Sequence, residues 1–213
     1  MLVFYDFTPA PSPRRARIFL AEKAIETETV QVNLRTREQL GEAYRAINPQ
    51  CTVPALKLED GTILTENAGI FAFAEAFRPD PPLLGRTPTE KGLVATWNAR
   101  IEQEGFAAVA EALRNSSPAM KDRALTGPID YPQIPELAER GKRRLEAFLD
   151  MLDARLAGRD HVAVDTFSLA DITGLVVVDF GKMVKIEPRD DHTNLRRWHA
   201  TVSARPSVGR QAR

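Results

Sequence analysis

Three short stretches carry groups that could do chemistry. TPAPSPRR, residues 8–15, sets two hydroxyls, Thr8 and Ser12, among three prolines, between the apolar run LVFYDF and the helical run ARIFLAEKAI. Each proline lacks a backbone donor and fixes φ. Ser12 and Pro13 therefore read as the N-cap and first turn of a helix, with proline where no donor is needed. Thr65-Glu66-Asn67-Ala68 lies where a strand gives way to a helix, and the free N–H groups of a helix start form a ready anion site. Asn67 reads as a cap for that helix. NPQCTVPAL, residues 48–56, puts a proline directly before a strand. Proline cannot donate to a ladder, so the backbone must turn away there. A cis Val53-Pro54 bond would expose the Val53 amide and carbonyl at a strand edge, where an extended peptide could pair. On the residues alone, an ordinary trans turn is the default.

The elements that must position these groups fall into two halves. Leu2 to Phe7 is a short apolar strand. Residues 14–25 place Ile18, Ala21 and Ile25, with Phe19, at helical spacing. Residues 29–34 alternate like a second strand, and residues 37–47 carry Leu40, Ala43, Tyr44 and Ile47 along one helical face. Ala55–Leu58 and Thr62–Thr65 flank an Asp60-Gly61 hairpin signal. A helix with Ile70, Phe71, Phe73, Ala74 and Phe77 completes a β-α-β-α-β-β-α order. We expect a first domain over 1–78, a proline-rich linker over 79–86, and an all-helical domain over 87–213. Thr87-Pro88-Thr89-Glu90 combines a capping box with proline at the first helical position. Leu93, Trp97, Ile101, Ala108, Val109 and Leu113 then form a stripe that Gly105 interrupts, with Trp97 and Phe106 in the core. Further helices carry Leu137 to Leu156, Ser168 to Val178, and Leu195, Trp198 and Val202. The third of these four begins at a second capping box, Ser168 to Asp171, and is apolar nearly all round, as the centre of a bundle would be.

Composition removes several classes. With Lys plus Arg equal to Asp plus Glu at 29 each, the chain lacks the basic footprint of a nucleic-acid or membrane-surface protein. One cysteine and three histidines leave no disulfide framework and no zinc set. The start lacks the layout of a signal peptide, and no apolar run could cross a bilayer, so a cytoplasmic protein is expected. Thiol–disulfide exchange of the thioredoxin type wants a low-pKa cysteine at the first helix, and TPAPSPRR has none. Cys51 reads as a small buried apolar residue, with a reactive thiol as the alternative.

The element order, NPQCTVPAL, EDGTILTEN and FSLADI together resemble the cytosolic glutathione S-transferases, from Leu2 to about Pro206. YDFTPAPSPRRARIFLAEK is similar to bacterial and fungal members whose first helix opens with proline, then arginine. The resemblance implies an α/β plus all-α chain: a thioredoxin-like βαβαββα domain with a cis proline at Val53-Pro54, which binds glutathione, and a helical bundle lining the site of a small hydrophobic electrophile. It implies a cytoplasmic detoxification enzyme, a transferase with the related peroxidase activity included, and a homodimer formed by the helix after Glu66 and the helix near Thr87. A member that only binds glutathione, or serves as an interaction subunit, is the alternative.

The same resemblance assigns residues. Val53 would pair with the cysteinyl part of glutathione, Glu66 and Asn67 would take the γ-glutamyl end, and Thr52 and Gln39 the glycyl carboxylate. Asn67 stands where serine is usual, Gln39 where histidine is frequent, and Cys51 where glycine is common. The sulfur would face the start of the first helix, where hydroxyls, free N–H groups and the positive helix end favour a thiolate. Ser12 is the first choice for that donor and Thr8 the second, with Tyr5 distant. Ala10 stands where the serine classes keep their hydroxyl. A water held near Asn115-Ser116-Ser117 is a further candidate. Arg14, Arg15 and Arg17 read as solvated or interdomain residues. The connection over residues 115–135 would border the electrophile pocket, with Met120 or Tyr131 touching it.

Overall fold

The computed structural model describes residues 1–209. The chain divides into two compact units, one built from Met1–Pro81 with Leu125–Asp130 and the other from the remainder.

The first unit is a four-stranded mixed sheet of order β2-β1-β3-β4, from β1 (Val3–Asp6), β2 (Glu28–Gln31), β3 (Ala55–Lys57) and β4 (Ile63–Leu64). β1 runs parallel to β2 and antiparallel to β3, with Tyr5 opposite Ala55. Helices α1 (Pro11–Glu22) and α3 (Asn67–Phe77) bury Ile18, Phe19, Ile70 and Phe71, with the Phe19 and Phe71 rings 4.9 Å apart. Strand alternation sends Phe4 and Tyr5 to opposite faces. Phe4 is buried, and Tyr5 packs instead beside Val32, Tyr44 and Val53. The thioredoxin-like arrangement expected from the sequence is present, and Val53-Pro54 is cis. A second cis bond, Asp80-Pro81, was not anticipated. The hairpin turns at Gly61, whose φ of +90° is accessible to glycine without a Cβ penalty.

One expected element is corrected. Residues 37–47 do not form a continuous helix. They follow a 3-10 turn at Leu34–Thr36 and fold as a second 3-10 turn, Glu38–Leu40, then a four-residue helix α2 (Glu42–Arg45). Arg37 adopts a left-handed φ of 61° and Gly41 an extended conformation, and both interrupt the i→i−4 ladder. Tyr44 is buried as the pattern required, whereas Ala43 is exposed.

The second unit is helical. α4 (Pro88–Arg100) starts at a Thr87/Glu90 capping box and passes through a wider π-helical stretch, Ile101–Phe106, into α5 (Ala107–Ser116). Gly105 lies in that stretch, and a Cβ there would meet Phe148 ring carbons at 2.8 Å and Val177 at 2.9 Å. The stripe is also corrected at its start: Leu93 is exposed and Val94 takes the buried place. Trp97 is half-buried, with the guanidinium groups of Arg100 and Arg155 over its ring at 5.0 and 4.6 Å. α6 (Pro135–Arg155), α7 (Leu169–Gly181) and α8 (Thr193–Ser203) follow. Every residue of α7 from Leu169 to Val178 is buried, as expected of a central helix. Asp171 reaches back to Ser168 at its start. Among the described residues, no helix is long and apolar enough to cross a membrane, and no group of three or more acidic, histidine or cysteine side chains could hold a metal.

Candidate functional site

The start of α1 differs from the sequence reading by two positions. Ala10, not Ser12, is the N-cap, and no side chain caps the helix. Several prolines could each have opened this helix, and Pro11 takes the first helical position, leaving Ser12 second and Pro13 third. The consequence is chemical. A helix start normally offers four free N–H groups. Here the Ala10 amide bonds to Phe7 O at 2.8 Å, and Pro11 and Pro13 have none. Ser12 alone keeps a backbone N–H there, and it also carries a hydroxyl.

Ser12 is met by Asn67, the first residue of α3. Asn67 Nδ2 donates to Ser12 Oγ at 2.9 Å and to Ser12 O at 3.1 Å. Asn67 is buried, and its Oδ1 has no hydrogen-bond partner among the described residues. Glu66, the N-cap of α3, does not cap it through its side chain and is exposed. Asn67 is therefore not the cap it was expected to be; it joins the first turns of two helices. Ser12 Oγ donates to no protein acceptor among the described residues, so its proton is uncommitted.

Thr8 is differently placed. Its amide and hydroxyl both donate to Gln31 Oε1 at 3.0 Å, and Arg17 donates to its carbonyl at 2.9 Å. Arg17 also pairs with buried Asp6 at 2.5 Å, and Gln31 Nε2 donates to the other Asp6 oxygen at 2.9 Å. Burial lowers the Arg17 pKa, and its pairing with Asp6 opposes that shift. This closed network holds the β1–α1 connection, and Arg17 belongs to it rather than to a solvated surface. The Thr8 hydroxyl is engaged within it.

A second tied group surrounds the cis proline. Tyr44 Oη donates to Thr52 O at 2.7 Å, and Asn48 Nδ2 donates to Thr52 O at 2.9 Å and Thr52 Oγ1 at 3.0 Å. Burial pushes the Tyr44 phenol well above its ordinary value, so it stays a donor. With Thr52 anchored, the next residue, Val53, has neither its amide nor its carbonyl in a backbone hydrogen bond among the described residues. Cys51 has a left-handed φ of 55°, which accounts for the glycine common at this position in the resembled family. Its thiol is buried and contacts Pro49 O at 3.5 Å. Gln39 is buried with Oε1 unpartnered, and no hydrogen bond joins it to either group among the described residues. Tyr5 packs edge-on against Tyr44, ring centres 6.0 Å apart. In the second unit, Asn115 Nδ2 and Ser116 Oγ bond to carbonyls of their own helix at 2.9 and 2.7 Å, and Asn115 Oδ1 accepts from Ile134 N at 2.9 Å. Met120 is half-buried and Tyr131 exposed.

One thioredoxin-like unit thus holds an open Val53 backbone beside a cis proline and, at α1, a helix start with no side-chain cap. Residues 10–76 match the glutathione S-transferase N-terminal domain, and residues 112–206 the glutathione S-transferase C-terminal domain. Glutathione S-transferase 2 of Saccharomyces cerevisiae is 33% identical over 97% of this chain and 88% of its own length. The chain belongs to the glutathione S-transferase family. The crystal structure of Gtt2 from Saccharomyces cerevisiae superposes with a TM-score of 0.89 at 32% identity, covering 98% of this chain and 99% of that one. A glutathione transferase homologue from Sulfitobacter, solved with bound glutathione, superposes with a TM-score of 0.82 at 26% identity, covering 99% of this chain and 96% of that one. The family expectation drawn from NPQCTVPAL, EDGTILTEN and FSLADI therefore stands.

Sequence reasoning missed three things here. The Ser12–Asn67 contact spans 55 residues and leaves no local pattern. Asn48 was quoted only as part of a motif, although a buried asparagine must spend its amide on something, and it spends it on Thr52. Asp6, at the end of an apolar strand, was the signal for the Arg17–Gln31–Thr8 network.

Proposed function

We propose that this chain conjugates small hydrophobic electrophiles with glutathione, and that the tripeptide lies along Val53 with its sulfur at the start of α1. The cysteinyl amide and carbonyl pair with the open backbone of Val53. The γ-glutamyl carboxylate is taken by the free N–H groups at the start of α3, and its ammonium by the Glu66 carboxylate and Asn67 Oδ1. The Asn67 side-chain amide donates to Ser12, so the Asn67 side chain serves as an acceptor toward the ligand. Thr52 Oγ1, which keeps its proton after accepting from Asn48, and Gln39 take the glycyl carboxylate.

The observation that carries this reading is the state of Ser12. It holds the one unspent backbone N–H in the first turn of α1, and its hydroxyl proton has no acceptor among the described residues. Both donate better to a thiolate than to a thiol, so they stabilise the ionised sulfur, as does the positive end of the helix. The proton leaves to solvent, and the thiolate attacks the soft electrophile. The protein contributes position and thiolate stabilisation, with no covalent intermediate of its own. The same thiolate can reduce an organic hydroperoxide. In that step its sulfur takes the distal oxygen as the O–O bond breaks, the alkoxide takes a proton from solvent and leaves as an alcohol, and a second glutathione converts the sulfenic acid to the disulfide and water.

Titrating the purified protein with glutathione while following thiolate ultraviolet absorbance tests the proposal. Assays with a chlorinated nitrobenzene and an organic hydroperoxide complete it. Saturable binding with a thiolate band and turnover is expected. Binding without either would leave a glutathione-binding member that performs no transfer, and absence of binding would end the reading. We extend it to a cytoplasmic homodimer, which sedimentation of the purified chain and imaging of the tagged chain would check.

A further inference from the structure

We propose that Asn67 is a positioning residue that sets the direction of the Ser12 hydroxyl proton. This rests on the reading above, in which Ser12 faces the sulfur. The Ser12 carbonyl can only accept, so the Asn67 atom 3.1 Å from it is the amide nitrogen, and the same nitrogen lies 2.9 Å from Ser12 Oγ. A hydroxyl has one proton and two lone pairs. With one lone pair filled by the Asn67 N–H, the proton is excluded from that direction and must point along one of the others. No protein acceptor among the described residues receives it. The incoming N–H also polarises the hydroxyl and strengthens its own donation, as in any hydrogen-bond chain.

Residue type decides the direction. An amide nitrogen cannot accept, so this bond cannot reverse. A serine here would be a rotor able to accept the proton of Ser12 as readily as to donate one. An aspartate could only accept, and would draw the proton away from the ligand. Asn67 is buried in the first turn of α3, which limits its own freedom. The asparagine thus makes Ser12 a one-way donor.

A double-mutant cycle tests the proposal through the pH midpoint of the bound thiolate and the pH profile of kcat/KM. The proteins are wild type, Asn67→Asp, Ser12→Ala and the double variant. Asn67→Asp is expected to raise the midpoint by about one unit or more, lowering kcat/KM about tenfold below it. In the Ser12→Ala background most of that shift should vanish, leaving only the effect of the added charge. Asn67→Ala is the uncharged check. It should raise the midpoint when Ser12 is present and leave it unmoved when Ser12 is absent, and it serves alone if the aspartate variant does not fold. Equal shifts in both backgrounds would overturn the proposal and make Asn67 a ligand contact only. A thiolate midpoint indifferent to Ser12→Ala would also overturn it, while leaving transfer by another donor intact. A wild-type protein that binds glutathione without ionising it would remove the underlying reading instead.

Discussion

Helices α1 and α7 both begin near a serine, and they are finished in opposite ways. At α7, the chain closes the helix start on itself. Buried Asp171 accepts from the Ser168 amide and hydroxyl at 3.0 Å, from Val162 N at 2.9 Å and from Trp198 Nε1 at 3.0 Å. At α1, the helix has no side-chain cap, two prolines delete donors, and Ser12 keeps an amide and a hydroxyl proton that find no acceptor among the described residues. A closed start lowers the energy of the fold, since buried polar groups cost free energy unless paired. An open start forgoes that stabilisation and leaves donors for something outside the chain. One serine is architectural and the other is available for chemistry, and the partners of each distinguish them.

Breaking the closed start should have the largest effect. Asp171→Ala leaves buried donors without an acceptor and should destabilise the protein by about 3–5 kcal/mol, read by urea unfolding. A loss below about 1 kcal/mol would remove the contrast. Ser12→Ala should invert the pattern. Conjugation should fall about tenfold to a hundredfold, while stability changes by less than about 1 kcal/mol. Gly105→Ala would sharpen the comparison from another side. Its methyl would press on Phe148 and Val177, costing about 1–3 kcal/mol in thermal or chemical unfolding, with the thiolate midpoint unmoved. Thr8→Val should matter least. Its hydroxyl serves Gln31 in an exposed loop, so stability should change by no more than about 0.5 kcal/mol and the rate by about a factor of two. A large rate loss there would shift the donor role from Ser12 to Thr8.

Local signals were readable where the physics is local. The Thr87 and Ser168 capping boxes, the Asp60-Gly61 hairpin and the apolar run of α7 each need only a few neighbouring residues to be recognised, and each is present. The cis bond at Pro54 was legible only through resemblance, because the residues alone favour trans. Residues 37–47 deceived because helical spacing says nothing of a left-handed Arg37, and the stripe of α4 slipped by one residue from Leu93 to Val94. The start of α1 was ambiguous among three prolines, any of which fits the first helical position. Inside the site, the decisive contact joins residues far apart in sequence. Ser12 could be singled out as a hydroxyl near a helix start, but its partner, and therefore its free proton, emerged only when α1 and α3 were set side by side.

The ionisation of bound glutathione tests the central claim most directly. Thiolate absorbance would be followed against pH for the complexes of wild type and Ser12→Ala. In the wild-type complex the thiol should titrate about one unit or more below the ordinary value near 8.5, and Ser12→Ala should return it upward by about one unit. The same midpoint in both complexes would contradict the claim that the open start of α1 holds the thiolate through Ser12.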